Sequence, residues 1–195
     1  MIKGSDKRIS QYPVNSIFID RWSPRAMSGA TVTKEELHIL FEAARWAASA
    51  NNVQPWRILY ARRDTPYWPI YLNLLFEGNR TWARCSGALL LFVSHTFNEA
   101  LGKPSVSHSF DTGAAWQNLA LQGFQSGLVV HGMGGFDREQ ARELLKIPGQ
   151  YHIEMMVAVG RPGATDHLPE RLRVRESPSD RRLLAQTVHE GVFGL

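Results

Sequence analysis

The sequence FDTGAAWQNLALQGFQSGLVVHGMGGFD occupies residues 110–137, and its part from Thr112 to Phe136 carries no formal charge. Residues 110–126 predict a long helix with an apolar stripe that consists of Phe110, Ala114, Gln117, Leu121 and Phe124, with Ala115 and Leu119 beside it. A helix that is apolar nearly all round is buried on several sides. In a chain of 195 residues, a second subunit is an economical source of that burial.

The flanking segments predict further helices and strands. Thr33 and Glu36 form a capping box, after which the apolar spacing predicts a helix that extends to Ala48. Apolar runs predict four strands, and amphipathic turns predict shorter helices. The strands are Ile58–Ala61, Ala88–Ser94, Leu128–Met133 and Ile153–Val159, and the helices are Tyr71–Phe76, Thr81–Cys85 and Asp137–Leu145. This mixture indicates the α+β class, with helices on the faces of a sheet.

The chain predicts one domain over residues 1–195, because its length suits a single core. Residues 1–20 predict an extended lead-in. Residues 161–195 contain Pro162, Pro169 and Pro178 and lack the apolar periodicity of a unit that folds alone. We therefore expect residues 161–195 to form an arm that lies on something else, and we expect it to be exchanged with a partner subunit.

The composition excludes several classes of protein. Net charge is 22 − 18 = +4, which is too small to require a nucleic-acid partner. The single cysteine, Cys85, excludes an internal disulfide framework, and no two histidines have the spacing of metal ligands, so we expect no metal. The sequence contains no HExxH or GxSxG motif of a hydrolase. Met1–Gln11 is not a signal peptide, and the longest apolar run, Ala88–Val93, is too short to span a bilayer, so we expect a cytoplasmic protein.

Two short segments could bind an anion. Pro24 favours an extended chain at Ser23, and an extended chain points Arg21, Ser23 and Arg25 the same way. Two guanidinium groups and a hydroxyl on one side match phosphate oxygens. Arg181 and Arg182 could add to such a site from the arm. In both segments the alternative is a surface where arginines pair with acids or water.

Two other segments suit a planar ligand. Ser49–Trp56 places amides and a hydroxyl where a helix ends, and side-chain amides can read the edge of a heterocycle. Gly132–Asp137 leaves backbone N–H groups bare between a strand and a helix. The alternatives are a helix C-terminal turn and an ordinary glycine turn.

The order and spacing of these segments resemble the nitroreductase family of FMN-dependent oxidoreductases from about Arg21 to Val188. The motifs that carry the resemblance are Arg21-x-Ser23-x-Arg25, Glu42–Ala47, Asn52-x-Gln54-Pro55-Trp56, Asp111-x-Gly113-Ala114-Ala115-x-Gln117-Asn118-Leu119, Gly134–Asp137, Ile147-Pro148 and Val159-Gly160-x-Pro162. The resemblance implies a nitroreductase-like fold with a central, mainly antiparallel sheet. It also implies an intertwined homodimer with an extended C-terminal arm and with FMN at the interface.

The resemblance also implies a role for each candidate residue. Arg21, Ser23 and Arg25 would hold the phosphate and ribityl end of FMN, with Arg181, or Arg182 as well, from the arm. Asn79 would face the pyrimidine edge of the ring, the backbone of Gly134 and Gly135 would lie near flavin N5, and Met133 would be a further cofactor-binding residue. Ser49, Ala50 and Asn52 would approach the flavin from the other subunit.

The implied activity is hydride transfer from NAD(P)H through flavin N5 to a nitroaromatic, quinone or similar acceptor, by a ping-pong mechanism with no side-chain acid or base. Trp82 stands where several relatives carry a lysine, and Gly134 where some carry a glutamate. The alternatives are a flavoenzyme of narrower reaction (dehalogenase-like or flavin-fragmenting), a non-catalytic FMN-binding protein, and a nucleic-acid binder that uses the arm's arginines. The sequence leaves open the acceptor and the choice between NADH and NADPH.

Overall fold

The computed structural model describes residues 2–193, so residue 1 of the predicted lead-in and residues 194 and 195 of the predicted arm lie outside the described residues. The elements in chain order are α1 (Ser16–Asp20), α2 (Lys34–Arg45), β1 (Trp56–Arg62), α3 (Trp68–Leu74), α4 (Glu77–Ala83), β2 (Ala88–His95), β3 (Phe97–Asn98), β4 (Lys103–Pro104), α5 (His108–Gln125), β5 (Val129–Met133), α6 (Arg138–Leu144), β6 (Tyr151–Gly160) and α7 (Glu170–Arg173). Short 3-10 turns occupy Gly4–Asp6, Ala50–Asn52 and Leu184–Gln186. All four predicted strands are present. No helix in residues 2–193 combines the length and the apolar character needed to cross a membrane.

The main sheet has the strand order β1-β2-β6-β5, and each neighbouring pair is antiparallel. Leu90 pairs with both Tyr60 and Val157, and Val159 pairs with Val130. The register between β2 and β6 shifts by one residue at Phe92 and Val93. The strands β3 and β4 form a separate two-stranded hairpin. The predicted α+β class and the antiparallel sheet are confirmed.

Helices cover both faces of the sheet, which explains why β2 is apolar along nearly its whole length. On one face, Leu37 and Leu40 of α2 and Leu119 of α5 pack with the sheet. On the other face, α3, α4 and α6 contribute Leu74, Trp82 and Ala141. The sheet is therefore the middle layer between two apolar cores, each closed by different helices.

The helix α5 has the predicted position and buries part of the predicted apolar face within the chain. Its fully buried apolar residues are Ala115, Leu119 and Ala120, whereas Phe110 of the predicted stripe is 83% exposed. Gly123 permits close contact with β5, because a Cβ atom there would lie 2.4 Å from Cγ2 of Val130. Ala115 and Leu119 of the predicted face are thus in the chain's own core and Ala114 packs against it, whereas Phe110 lies outside it.

Several sequence predictions were wrong in detail. The short helices predicted over Tyr71–Phe76 and Thr81–Cys85 begin earlier, as α3 and α4. The helix expected to reach Ala48 ends at Arg45, and the chain then enters a 3-10 turn in which Asn51 and Asn52 have positive φ. The lead-in, expected to be extended, contains the helix α1, whose N-terminus is capped when the Ile17 N–H donates to Asn15 Oδ1 at 3.0 Å. A side-chain cap allows so short a helix to form.

The arm packs against the chain's own N-terminal part. The Gly163 N–H donates to the Ala26 carbonyl at 3.0 Å, and the Leu184 N–H donates to Gln11 Oε1 at 2.8 Å. Leu168 and Leu172 are buried in the core beside α3 and α6. The expected exchange of the arm with a partner stays a prediction.

Candidate functional site

A cavity of about 330 Å³ lies between the segment after α1 and the arm, and we call it the cationic cavity. Five arginines and three serines contribute most of its polar lining: Arg8, Arg21, Arg25, Arg175 and Arg181, with Ser23, Ser177 and Ser179. Trp22 and His131 complete the lining. Guanidinium groups only donate hydrogen bonds, so the cavity presents mainly donors.

The segment from Arg21 to Arg25 is shaped by the end of α1 and by the arm. The chain is extended at Arg21, and Arg21 Nη1 donates to Ser23 Oγ at 3.2 Å, so these two side chains do share a side. The backbone N–H groups of Arg25 and Ala26 donate to Oε1 of the buried Glu176, at 2.5 and 2.7 Å. The Arg25 Nη1 atom lies 3.8 Å from the other oxygen of Glu176. This carboxylate fixes the arm to the segment.

Arg8 joins three distant parts of the chain at the cavity wall. Its Nη1 donates to the carbonyls of Ile19 and Arg21, at 2.7 and 2.9 Å, and its Nε donates to the carbonyl of Ser179 at 2.7 Å. Arg181 Nη1 donates to the same Ser179 carbonyl at 3.1 Å. The arm therefore meets the segment at a fixed place.

The cations of the cavity crowd one another. Burial lowers the pKa of Arg8 and of Arg21, and the positive charge of Arg181 lowers both pKa values further. Because a lowered pKa here means that the positive charges cost free energy, an anion in the cavity relieves them. The arrangement suits a small dianion such as a phosphate monoester.

The predicted glycine turn contacts Asn79 at a site separate from the lining of the cationic cavity. Asn79 Nδ2 donates to the Gly135 carbonyl at 3.0 Å, and a Cβ atom on Gly135 would lie 2.9 Å from that nitrogen. Only glycine allows this approach without displacement. Gly134 faces open space, whereas the side chain of Met133 is 2% exposed and packs in the core. Any contact of Met133 with a ligand must therefore come from its backbone.

The loop that holds Ser49, Ala50 and Asn52 lies apart from the cationic cavity in this chain. Asn51, Asn52 and Gln54 have φ between 51° and 55°, which is strained for residues with a side chain. The Gln54 N–H donates to Ser49 Oγ at 3.0 Å. Asn52 lines a different cavity, of about 300 Å³. The role of this loop toward a partner's flavin stays a prediction.

The ring of His131 separates the cationic cavity from α4. Its Nδ1 lies 2.9 Å from the Pro24 carbonyl oxygen, and its centroid lies 4.6 Å from that of Trp82. Burial, with the nearby charges of Arg25 and Arg21, lowers the pKa of His131 to about 4. Trp82 is 1% exposed, so it supports His131 and offers little surface of its own.

The structure brings together some of the sequence-predicted residues and adds others. Arg21, Ser23, Arg25 and Arg181 line one cavity, whereas Arg182 lines a neighbouring cavity beside the lead-in. Sequence reasoning missed several lining residues: Arg8, Arg175, Ser177, Ser179 and the ring of His131. Their only signal is the number of arginines in the arm, since Arg8 stands in a segment without any periodic pattern.

Comparison with known proteins gives the family. Residues 19–81 match the model of the nitroreductase family. The solved structure of an FMN-containing oxidoreductase is 44% identical, the match covers 99% of each chain, and the TM-score is 0.94. The chain belongs to the nitroreductase family.

Two further proteins with nitroreductase in their names are similar to this chain at lower sequence identity. A Streptomyces coelicolor protein named as an NADH dehydrogenase/NAD(P)H nitroreductase is 27% identical over 191 residues, which covers 86% of this chain and 94% of that protein. A Desulfovibrio desulfuricans protein named as a nitroreductase, solved in complex with FMN, is 24% identical with a TM-score of 0.72, and the match covers 95% of this chain and 100% of that one. The second likeness shows the fold alone. Membership of the nitroreductase family confirms the predicted resemblance and supports an oxidoreductase.

Proposed function

We propose that this nitroreductase-family protein is an FMN-dependent oxidoreductase that passes a hydride from NAD(P)H through flavin N5 to a nitroaromatic, quinone or similar acceptor, by a ping-pong mechanism. The observation that carries the proposal is the cationic cavity, in which Arg21, Ser23 and Arg25 meet Arg181. The 44% identical relative is an oxidoreductase that contains FMN.

The residues present fit the phosphate end of FMN. Crowded guanidinium groups with lowered pKa values gain stability from a dianion, and serine hydroxyls add further donors. Arg21, Ser23, Arg25 and Arg181 would hold the phosphate and the ribityl end. Arg182 lines the neighbouring cavity, so we assign the arm's contribution to Arg181.

The residues around Asn79 fit the ring end. When bound, FMN supplies a carrier that accepts a hydride and passes the electrons on, which no protein side chain can do. The hydrogen bond from Asn79 to the Gly135 carbonyl sets the turn, so that the backbone of Met133, Gly134 and Gly135 would face the ring. Gly134 leaves space beside the turn, which gives a donor or an acceptor room to approach.

Two arginines that could compensate the negative charge of a reduced flavin, Arg80 and Arg25, each face a carboxylate of this chain. Arg80 forms a pair with Glu77 at 2.9 Å, and this pair is exposed. The Arg25 guanidinium is only 3.8 Å from Glu176 and stands close enough to His131 to lower its pKa.

We propose a homodimer, because an exposed face of α5 and the largely exposed loop of Ser49–Asn52 have no covering surface within residues 2–193 of one chain. Phe110 on α5 is 83% exposed, as a face reserved for a second copy would be. The strained loop would bring Ser49, Ala50 and Asn52 to the partner's flavin. We propose a single domain over residues 1–195 that acts as this dimer in the cytoplasm, with the arm exchanged between subunits.

An absorption spectrum followed by anaerobic reduction tests the function. We expect purified protein supplied with FMN to retain a flavin spectrum, to lose its absorbance near 450 nm with NADH or NADPH, and to recover it with a nitroaromatic or quinone. Purified protein that retains no FMN after FMN has been supplied would contradict the proposal. Bound FMN that neither donor bleaches would favour the non-catalytic alternative, and recovery with only one narrow acceptor class would favour a specialised flavoenzyme.

A further inference from the structure

His131 is a strand residue of β5, and its ring also forms part of the wall of the cationic cavity. The sequence gives it no function. Its neighbours in that wall are Arg21, Ser23 and Arg25, which the proposed function assigns to the phosphate and ribityl end of FMN. This wall is rich in arginines, which raises the question of what a histidine contributes to it.

The hydrogen bond to Pro24 fixes which ring nitrogen carries the proton. A backbone carbonyl can only accept, so Nδ1, at 2.9 Å from the Pro24 oxygen, must be the N–H. In a neutral imidazole the other nitrogen, Nε2, then carries a lone pair and accepts hydrogen bonds. In residues 2–193 the hydrogen bond of this ring is the one from Nδ1 to the Pro24 carbonyl, and the Ser23 carbonyl lies near the ring.

The surroundings keep the ring neutral and oriented. Burial and the charges of Arg25 and Arg21 disfavour a second proton, although the carbonyls of Pro24 and Ser23 oppose this effect. Trp82 packs on the ring with an angle of 49° between the planes. The nitrogen lone pair is therefore presented in one direction.

The Nε2 lone pair differs from most of the cavity lining, because it accepts hydrogen bonds and most of the lining donates them. The five guanidinium groups only donate hydrogen bonds, and the hydroxyls of Ser23, Ser177 and Ser179 both donate and accept, so the Nε2 lone pair is the one side-chain group among these lining residues that only accepts. Glu176, the carboxylate that holds the arm, accepts two backbone hydrogen bonds at Oε1, and its buried Oε2 lies 3.8 Å from Arg25 without a hydrogen bond, but Glu176 is not among the residues that line the cavity. A ligand that combines a phosphate with hydroxyl groups needs an acceptor as well as donors, and His131 supplies one.

We propose that Nε2 of His131 accepts a hydrogen bond from a hydroxyl of the ribityl chain of FMN, so that the cavity recognises a phosphorylated polyol and not phosphate alone. This inference rests on the proposed function, because it takes the ligand to be FMN. His131 is then a binding residue on the chain between phosphate and ring.

Two substitutions distinguish the contribution of the Nε2 acceptor to FMN affinity from the contribution of the ring's shape. His131→Phe keeps a flat ring against Trp82 and removes the acceptor, whereas His131→Gln restores an acceptor on a smaller side chain. Titrations at pH 8 with FMN and, separately, with inorganic phosphate measure the two affinities. We expect His131→Phe to weaken FMN about tenfold, His131→Gln to recover most of that loss, and phosphate affinity to stay within about twofold in both variants.

His38→Phe is the matched control, because this exposed histidine on α2 lies beside Phe41 and lines no part of the cationic cavity. Its FMN affinity should equal that of the wild type. Should His131→Phe fail to fold by circular dichroism, His131→Met carries the same comparison with a smaller apolar side chain.

Two results would overturn the inference. One is equal FMN affinity in wild type and His131→Phe, and the other is an equal loss of FMN and phosphate, which would mean that the ring only supports the segment at Pro24. Wild-type protein that binds no FMN at all would instead overturn the proposed function, and the inference with it.

Discussion

The strands β2 and β6 are apolar along most of their length and lie side by side, whereas the cationic cavity gathers charged side chains from positions 8, 21 and 181. The first region is held by buried area between neighbouring layers. The second is held by a few hydrogen bonds between segments far apart in the chain, among cations that repel one another. We therefore expect the sheet to carry the stability of the fold and the cavity to depend on its ligand.

The largest effect should come from the sheet. Leu91 of β2 is fully buried, so Leu91→Ala leaves a cavity and should lower the free energy of unfolding by about 2–5 kcal/mol, measured by urea denaturation. Leu183→Ala, on the exposed arm, should change it by less than about 0.5 kcal/mol. Equal losses of unfolding free energy in Leu91→Ala and Leu183→Ala would contradict the expectation that the sheet carries the stability of the fold.

The next effect links the cavity to stability through pH. The unfolded chain protonates His131 below about pH 6.5, whereas the folded chain does so only below about pH 4. The unfolded state thus binds the extra proton between these values, so the free energy of unfolding should fall by up to about 3 kcal/mol as pH drops through this window. Above pH 6.5 His131 should contribute no pH dependence.

Denaturation curves at several pH values check this prediction. His131→Phe lacks the titrating group, so its stability should depend less steeply on pH between 4 and 6.5 than that of the wild type. Identical slopes for the two proteins would show that burial of His131 does not favour its neutral form.

A smaller effect concerns ligand retention alone. Arg25→Ala removes a guanidinium from the cavity but keeps the backbone N–H that donates to Glu176, so the fold should persist. FMN affinity should fall about 10- to 100-fold by flavin fluorescence titration, as expected for one charged hydrogen-bond partner. Arg182→Ala is the control, and unchanged affinity in Arg25→Ala would contradict the phosphate assignment.

The smallest effect lies at the N-terminus of α2, a helix that packs on the sheet and does not line the cationic cavity. Thr33 Oγ1 accepts from the Glu36 N–H at 3.1 Å and caps α2. Thr33→Ala should lower the free energy of unfolding by about 1 kcal/mol and leave FMN affinity unchanged. Thermal denaturation with and without FMN measures both, and a changed FMN affinity would mean that α2 and the cavity are coupled.

The sequence predicted the sheet well and the site in part. Ala88–Val93 can only be a buried strand, and the pattern of Arg21, Ser23 and Arg25 follows from an extended chain before Pro24. The end of α2 was missed because Ala47 and Ala48 continue the helical pattern, although the turn at Asn51 and Asn52 stops it earlier.

Local pattern was sufficient for the strands, the long helix and the class of fold, because period and composition within ten or twenty residues set which face is buried. It also carried the motifs by which the family is recognised. The meeting of Arg8 with Ser179, the burial of Glu176 and the tautomer of His131 needed the folded chain. Those contacts join residues more than 100 positions apart, and no short-range pattern records which distant segment will pack beside a given side chain.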